Sequence, residues 1–313
     1  MPGLFALMCL IWGSTWLAMK FGVASVPAVF YGGTRFNLAG SALLLFAWLR
    51  GEVRRLGQHE LGRLVLVQLL MVVLTYAPLF WAIRHIPSGL TGVLNLALVP
   101  VSLLGFGIAL GEERWNLGRA AALGFGCAGL AVLFGPQVMV PGDSLGLLAA
   151  AAVVLSAAVY SLGSVIARPL TRAMSAVFMS GLTLLPGGLV LTLGALVLEP
   201  GALEAARFDW DIAAWLGWLF LVVFGSLVAF TTYLRLIAVW GPARAGSYAY
   251  VSPVIAVVLG MLVLGEQVGL SDGLGMALLL AAAFYSLRAA ASNPHSADNK
   301  AVGAPKTGHR KTA

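Results

Sequence analysis

The chain has 313 residues, of which 60% are hydrophobic and only 10% are charged, and its mean hydropathy is +0.94. So few polar residues cannot cover the surface of a soluble domain of this length, which excludes a soluble enzyme. The net charge of +7 comes from arginine and lysine in the segments between apolar runs, so it calls for no nucleic-acid partner.

Ten apolar runs follow one another along the chain. A helix needs about 20 apolar residues to cross a bilayer, and unbroken runs without period-2 alternation favour helices over a β-barrel. The sequence therefore predicts an all-α membrane protein. Its ten predicted spans lie near residues 4–20, 29–49, 63–83, 90–110, 118–135, 145–167, 176–198, 213–235, 246–264 and 273–288.

The basic residues predict the orientation of these spans. With the N-terminus in the cytoplasm, the inner segments and tail hold 15 arginines and lysines, and the outer ends hold three, namely Lys20, Arg84 and Arg207. This positive-inside bias predicts that both termini are cytoplasmic. After Arg288 the chain becomes polar, and residues 289–313 are predicted to be a disordered cytoplasmic tail.

Two parts of the sequence resemble each other. The segments 80–112 and 233–266 each begin with an aromatic residue, place Pro100 or Pro253 twenty residues later and end in Gly-Glu. Trp12 and Tyr160, 148 residues apart, are each followed eight residues later by a basic residue. We therefore expect two repeats, 4–135 and 145–288, with five spans each. An odd number of spans forces the second repeat to be inverted, and such repeats enclose a central cavity.

Pro100 and Pro253 are candidate kinks or gating points. Proline removes a backbone donor and opens the helix around the carbonyl four residues earlier. Paired interruptions in corresponding helices point to a binding site near the middle of the membrane. The alternative is that both prolines are simple packing kinks.

Arg35 is the one charged residue well inside a predicted span. An arginine buried in a membrane is a candidate binding residue, and its guanidinium suits a carboxylate substrate. The alternatives are that it reaches the interface with its charged end or binds carbonyls at a helix end.

Other polar and aromatic residues within the spans are candidates for the cavity wall. Asn95 and Tyr248 occupy corresponding positions beside the two prolines, 153 residues apart. The alternative is that these side chains belong to the core or to the interfacial aromatic belt. The full set of candidates, besides Arg35, is Trp12, Ser14, Tyr76, Asn95, Tyr248 and Tyr250.

Catalytic and ion-coupling groups are missing from the predicted spans. All twelve acidic residues fall in loops, span ends or the tail, so no carboxylate stands near mid-membrane to couple transport to an ion. The sequence has no phosphate-binding loop, metal-spaced Cys/His cluster or nucleophile elbow. We expect no enzyme activity, no metal and no cofactor.

Several segments match a known family. Ile11–Lys20 reads IWGSTWLAMK, the fourth and ninth spans close on ALGEE and VLGEQ, and their prolines stand in Leu-x-Pro-Val and Val-Ser-Pro-Val. These segments resemble the two EamA repeats of the drug/metabolite transporter superfamily, over about residues 4–288. The resemblance implies ten helices, inverted five-helix repeats, cytoplasmic termini and metabolite export through a central cavity. Tyr160 stands where this family commonly has tryptophan.

Within that superfamily the chain is most similar to amino-acid exporters of the YddG type, known for aromatic amino acids. We therefore expect an inner-membrane exporter of amino acids and other small amphipathic metabolites, working by alternating access. Export of drugs, nucleosides or other metabolites is the alternative, and a channel is a more remote one. The expected partners are the small-molecule substrate and the lipid bilayer, with a monomer favoured over a dimer.

Overall fold

The structure is a computed structural model, and it describes residues 1–83, 85–86, 88–134, 144–264 and 269–291. Helices make up most of these residues and no strand occurs among them, so the all-α prediction is confirmed for the described chain. Residues 292–313 of the predicted tail lie outside the description.

Among the described residues, five long helical segments lie in each half. In the first half they are α1 (Pro2–Val23), α2 (Ala28–Leu49), α3 (Gln58–Gln68, Leu69–Val73 and Leu74–Ile83 in one run), α4 (Ser88–Ala109) and α5 (Leu117–Phe134). In the second half they are α6 (Ser144–Ala173), α7 (Ala176–Leu198), α8 (Ile212–Phe220, Leu221–Phe230 and Thr231–Trp240 in one run), α9 (Tyr248–Leu264) and α10 (Leu270–Ala291). Short helices Ala202–Ala205 and Pro242–Ala245 flank α8.

Several of these helices are long and apolar enough to cross a membrane. Five meet that criterion over at least 18 described residues, and the part of α2 that holds Arg35 and Asn37 is more polar. α6, at 30 residues, and α8, at 29, extend several residues past their predicted inner ends. The five are Pro2–Val23, Gln58–Ala82, Ser144–Ala173, Ala176–Leu198 and Ile212–Trp240.

Side-chain oxygens bind the free N–H groups at three helix starts. The Glu199 carboxylate, just after α7, accepts hydrogen bonds from the amides of Val29 (3.1 Å) and Phe30 (2.9 Å) in the first turn of α2. Ser175 caps α7 and Asp211 caps α8 in the usual way, through the third amide of each helix. The Glu199 contact therefore fixes the start of α2 against the end of α7.

Glycines bring α2 and α7 into backbone contact. A Cβ atom placed on Gly40 would lie 2.4 Å from the amide nitrogen of Leu185, and one on Gly188 would lie 2.9 Å from that of Asn37. Helices in a membrane gain little from apolar burial, so close approach at small residues is what holds them together.

The repeat offset of 148 residues also relates the contacts between α2 and α7. Gly33 on α2 lies against Thr192 on α7. Gly181, 148 residues after Gly33, likewise lies against Leu44, 148 residues before Thr192. Rising numbers on α2 face falling numbers on α7, so these two corresponding helices run antiparallel.

The wider packing follows the same correspondence between halves. α2 packs on α7 and α5 packs on α10, each on its own counterpart. α1 packs on α8 and α9, as α6 packs on α3 and α4. Exchanging the first five helices with the last five therefore leaves this pattern of neighbours unchanged.

The third helix of each half contains a π-helical segment, Leu69–Val73 in α3 and Leu221–Phe230 in α8. Such segments are rare and often lie at functional sites. In α3 the Thr75 hydroxyl donates to the Leu70 carbonyl (2.6 Å), five residues earlier, which satisfies a carbonyl in the widened turn. The predicted interruptions, Pro100 and Pro253, instead lie inside continuous α4 and α9.

Candidate functional site

A cavity of about 140 Å³ lies between the two halves of the chain. Its walls come from α1 to α4 of the first half and from α6, α8 and α9 of the second. Most of the lining is apolar or aromatic, with a few polar groups, the usual character of a small-molecule site. Five of the seven cavity candidates line it, namely Trp12, Arg35, Tyr76, Asn95 and Tyr248.

The remaining candidates lie elsewhere. The Ser14 hydroxyl donates to the Leu10 carbonyl (2.8 Å) within its own helix, outside the cavity lining. Tyr250 is buried on another face of α9, where its ring packs against Gly126. Pro100 and Pro253 are buried and also stand outside the lining.

An aromatic cluster forms one wall of the cavity. Trp12 lies 4.4 Å from Tyr248 and 5.2 Å from Tyr233, measured between ring centroids, and Tyr160 stacks on Tyr233 at 5.8 Å. The Tyr233 hydroxyl donates to the Ser164 hydroxyl oxygen (3.0 Å). Trp12 and Tyr160 are the corresponding residues of the two halves, so the repeat itself places both at the cavity.

The π-helical segment of α8 forms another wall. Gly225, Ser226 and Phe230 all line the cavity from this segment. The Trp12 indole N–H donates to the Gly225 carbonyl across the cavity wall (3.3 Å). The π-helical segment and α1 are thus joined by a hydrogen bond at the cavity wall.

Arg35 brings a positive charge into this apolar wall. Its side chain is buried, at 6% exposure, and its guanidinium carbon lies 4.5 Å from the Phe36 ring centroid and 5.7 Å from that of Tyr76. Cation–π contacts of this kind contribute roughly 0.5–2 kcal/mol each. The buried Nε has no hydrogen-bond partner among the residues that the structure describes.

Few of the other polar groups in the lining are free. The hydroxyls of Thr15 and Thr75 donate to helix carbonyls at 2.7 and 2.6 Å. The Ser252 hydroxyl is buried and has no partner among the described residues, and Asn95 is half-buried. The described lining contains no carboxylate. The site can thus bind an amphipathic molecule through Arg35, Asn95 and the aromatic faces.

Ion pairs lie beside the loops that follow α4 and α8. Arg168, near the end of α6, pairs with Glu112 and also donates to the Glu112 carbonyl (3.1 Å). Gly241, with φ +85°, lies so close that a Cβ there would be 3.1 Å from Arg168. Glu113 and Arg119 form a second, buried pair. Arg168 stands eight residues, about 12 Å along a helix, beyond Tyr160 in the cavity wall.

Comparison with known proteins identifies the family. The profile of the EamA-like transporter family matches twice, at residues 2–135 and 145–288. The chain belongs to the EamA-like transporter family. Relatives in Escherichia coli and Bacillus subtilis are also named as transporters, which agrees with a membrane transporter of this family.

Individual relatives agree with this membership. The chain is 29% identical to the uncharacterized inner membrane transporter YedA of Escherichia coli K12, over 88% of this chain and 87% of YedA. It is 24% identical to the uncharacterized transporter YoaV of Bacillus subtilis 168, over 88% of this chain and 93% of YoaV. A solved crystal structure, 20% identical, matches the fold with a TM-score of 0.75 over 92% of this chain and 96% of that one.

Sequence reasoning missed part of this EamA-like cavity. Thr15 and Met19 line it together with Trp12, at the spacing of one helix face. Residues three, four or seven positions after a candidate lie on the same helix face, so this rule would have identified both. It would also have identified Leu79 and Phe80, which follow Tyr76. No comparable signal marks Gly225, Ser226 or Phe230, because the π-helical turn that places them carries no proline.

Proposed function

We propose that this EamA-like transporter exports amino acids, chiefly aromatic and other small amphipathic ones, across the bacterial inner membrane by alternating access. The observation that carries the proposal is the cavity between the halves, walled by helices of both. A site at the interface of two repeats is exposed to one side or the other when the repeats rock against each other.

The proposed topology has ten spans, an inverted second repeat and cytoplasmic termini. The antiparallel contacts of corresponding helices α2 and α7 support the inversion, as do those of α5 and α10, where Gly118 meets Ala289 and Gly129 meets Leu279. The distribution of arginine and lysine supports the orientation. Since one chain supplies both halves of the cavity, we propose that it works as a monomer.

The Arg168–Glu112 pair supports alternating access. In the proposed topology it closes the cytoplasmic end, linking α6 of the second half to the loop after α4 of the first. In the sequence, Lys20 stands 148 residues before Arg168 and Glu266 stands 154 after Glu112, so in the proposed topology they are the corresponding residues of the opposite face. We propose that the pairs form in turn, one in each conformation.

The lining supports an aromatic substrate. Trp12, Tyr160 and Tyr248 offer ring edges and faces, and aromatic pairs gain roughly 0.5–1.5 kcal/mol beyond simple burial. With no carboxylate in the described lining, we propose that no intramembrane carboxylate couples export to protons or sodium.

Uptake into proteoliposomes tests the proposal. Purified protein should move labelled phenylalanine or tryptophan faster than alanine, nucleosides or cationic drugs, and should still do so when the proton gradient is collapsed. Transport of nucleosides or drugs alone would contradict the substrate, and strict dependence on the proton gradient would contradict the uncoupled mechanism.

Paired variants locate the site. Asn95→Ala should reduce uptake while leaving folded protein. Tyr248→Phe should also reduce it, whereas Tyr250→Phe, which removes the same hydroxyl outside the cavity two residues away, should not. Wild-type rates for Asn95→Ala and Tyr248→Phe would place transport elsewhere in the protein.

A further inference from the structure

Arg35 is a buried cation without a counter-ion in the described chain. It is 94% buried and lines the cavity, and its Nε atom is shielded from solvent without a hydrogen-bond partner. None of the described residues accepts a hydrogen bond from it or forms an ion pair with it. Its neighbours are the ring faces of Phe36 and Tyr76.

Arg35 does not have either of the two common structural roles of an arginine in a membrane helix. A side chain that reaches the interface keeps its charged end in water, but Arg35 is buried. An arginine that caps a helix end donates to its carbonyls, but Arg35 makes no such bond in the described residues.

The fold itself does not require a charge here. The corresponding residue of the second half is Thr183, 148 positions further on in α7, where the same helix pair packs. Thr183 donates to the Met179 carbonyl of its own helix (2.8 Å) and is fully buried. At this position of the repeat, one half therefore has an arginine, and the other has a threonine whose hydroxyl is hydrogen-bonded within its own helix.

A ligand in the cavity can supply the partner that the described chain does not. A planar guanidinium matches a carboxylate through two parallel hydrogen bonds, and it remains charged under all physiological conditions. The described lining offers no acidic group to pair with an ammonium. Besides Arg35, its polar side chains are neutral, namely Asn95 and the hydroxyls of serine, threonine and tyrosine residues.

We infer that the cavity selects its substrates by a carboxylate bound to Arg35 and does not require their amino group. This inference rests on the proposed function and narrows its substrate class. Aromatic monocarboxylates without an ammonium, such as arylpropionates and aryl-2-oxo acids, bind in the cavity as the amino acids do. The corresponding amides and amines, which carry no carboxylate, are rejected.

Binding measured by isothermal titration calorimetry tests the inference on the full chain in lipid nanodiscs. Five ligands share one benzyl body: phenylalanine, phenylpyruvate, 3-phenylpropionate, 3-phenylpropionamide and phenethylamine. The three carboxylates should bind, and the amide and the amine should bind roughly 10- to 100-fold more weakly, as expected for the loss of charged hydrogen bonds.

Substitutions assign the effect to Arg35. Arg35→Met should lower affinity for the carboxylates roughly 10- to 100-fold and leave that for the amide unchanged, with Arg35→Lys in between because it keeps the charge without the planar fork. Arg54→Met, at a partly exposed site outside the cavity, is the matched control and should bind as wild type does. If Arg35→Met does not fold, wild-type carboxylate affinity in Arg35→Lys overturns the bidentate contact.

Other results overturn the inference directly. These are equal affinity for 3-phenylpropionate and its amide, no binding of any carboxylate, wild-type affinity in folded Arg35→Met, or tighter binding of phenyl phosphate than of the carboxylates. Failure of the proposed function is separable. Carboxylate binding without proteoliposome transport would refute the transport proposal alone, whereas transport that ignores substrate charge would refute this inference alone.

Discussion

Gly40 on α2 and Leu185 on α7 are in backbone contact, with only 2.4 Å between an added Cβ and the Leu185 amide nitrogen. Neither backbone can move without displacing a whole helix. Gly40→Ala should therefore force the helices apart and destabilise the protein by about 1–3 kcal/mol, the usual cost of overpacking. The measurement is thermal or denaturant unfolding of the purified protein in detergent.

Gly194, on the same α7 helix, is the matched control. A Cβ there would meet nothing within 4 Å, so Gly194→Ala should be neutral or stabilise by up to about 1 kcal/mol through helix propensity. Equal unfolding midpoints for the two variants would show that the close approach of α2 and α7 contributes nothing to stability.

The repeat and its helices could be predicted from the sequence because both depend on local patterns. Apolar runs, turn residues and the spacing of Trp12 from Tyr160 are visible in the chain itself. The π-helical segments could not be predicted, because Leu221–Phe230 contains no proline or other residue type that marks a widened turn.

The cavity was only partly predictable for a related reason. Position within the predicted spans identified Trp12, Arg35 and Asn95. Position along a helix does not indicate which face of that helix lines the cavity. Tyr250 and Ser14 lie at suitable depths and face other helices or their own backbone. That choice of face is made by tertiary packing.

Reversal of the Arg168–Glu112 pair should change transport. Because the pair is largely buried, Arg168→Glu should place two like charges together and lower the uptake rate about tenfold, which corresponds to about 1.4 kcal/mol. The double variant Arg168→Glu/Glu112→Arg should recover much of that loss. Initial rates of uptake for the two single variants and the double variant form the thermodynamic cycle.

The Arg54–Glu60 pair provides the control for this reversal. It is partly exposed and lies at the start of α3, where an ion pair contributes little. Reversing it should leave uptake unchanged. A double variant at 168 and 112 that is no better than either single variant would mean that the pair takes no part in gating.

Loss of the indole N–H donor at Trp12 should lower the stability of the folded protein. Trp12→Phe keeps an aromatic ring but removes the hydrogen bond to the Gly225 carbonyl, so stability should fall by about 0.5–1.5 kcal/mol. Trp48→Phe, at a side chain 66% exposed on α2, should leave the unfolding midpoint unchanged. The same midpoint in all three proteins would indicate that water or another group replaces the indole at no cost.

Asp211 should make stability depend on acidic pH. Hydrogen bonds from the Ser25 side chain and then from the Ala214 amide lower the pKa of this carboxyl, which caps α8. A group with a lowered folded pKa stabilises the protein above its unfolded value, about 3.9, and loses that contribution as the pH falls through the folded value.

Asp211→Asn isolates this effect, because asparagine also caps helices but carries no charge. The wild-type protein should have the higher melting temperature at pH 5–7, roughly where aspartate is fully ionised, and the difference should shrink below about pH 4. A difference that is constant across this range would rule out ionisation of Asp211 as its source.

The unequal pair Arg35 and Thr183 has an electrical consequence. In the proposed alternating-access cycle, the cavity is exposed to one side of the membrane and then to the other. The fixed charge of Arg35 would then cross part of the membrane voltage although the side chain itself hardly moves. One elementary charge crossing the full voltage exchanges about 2.3 kcal/mol per 100 mV. With a monocarboxylate bound, that charge is neutralised, so only the empty transporter would respond to voltage on its return step.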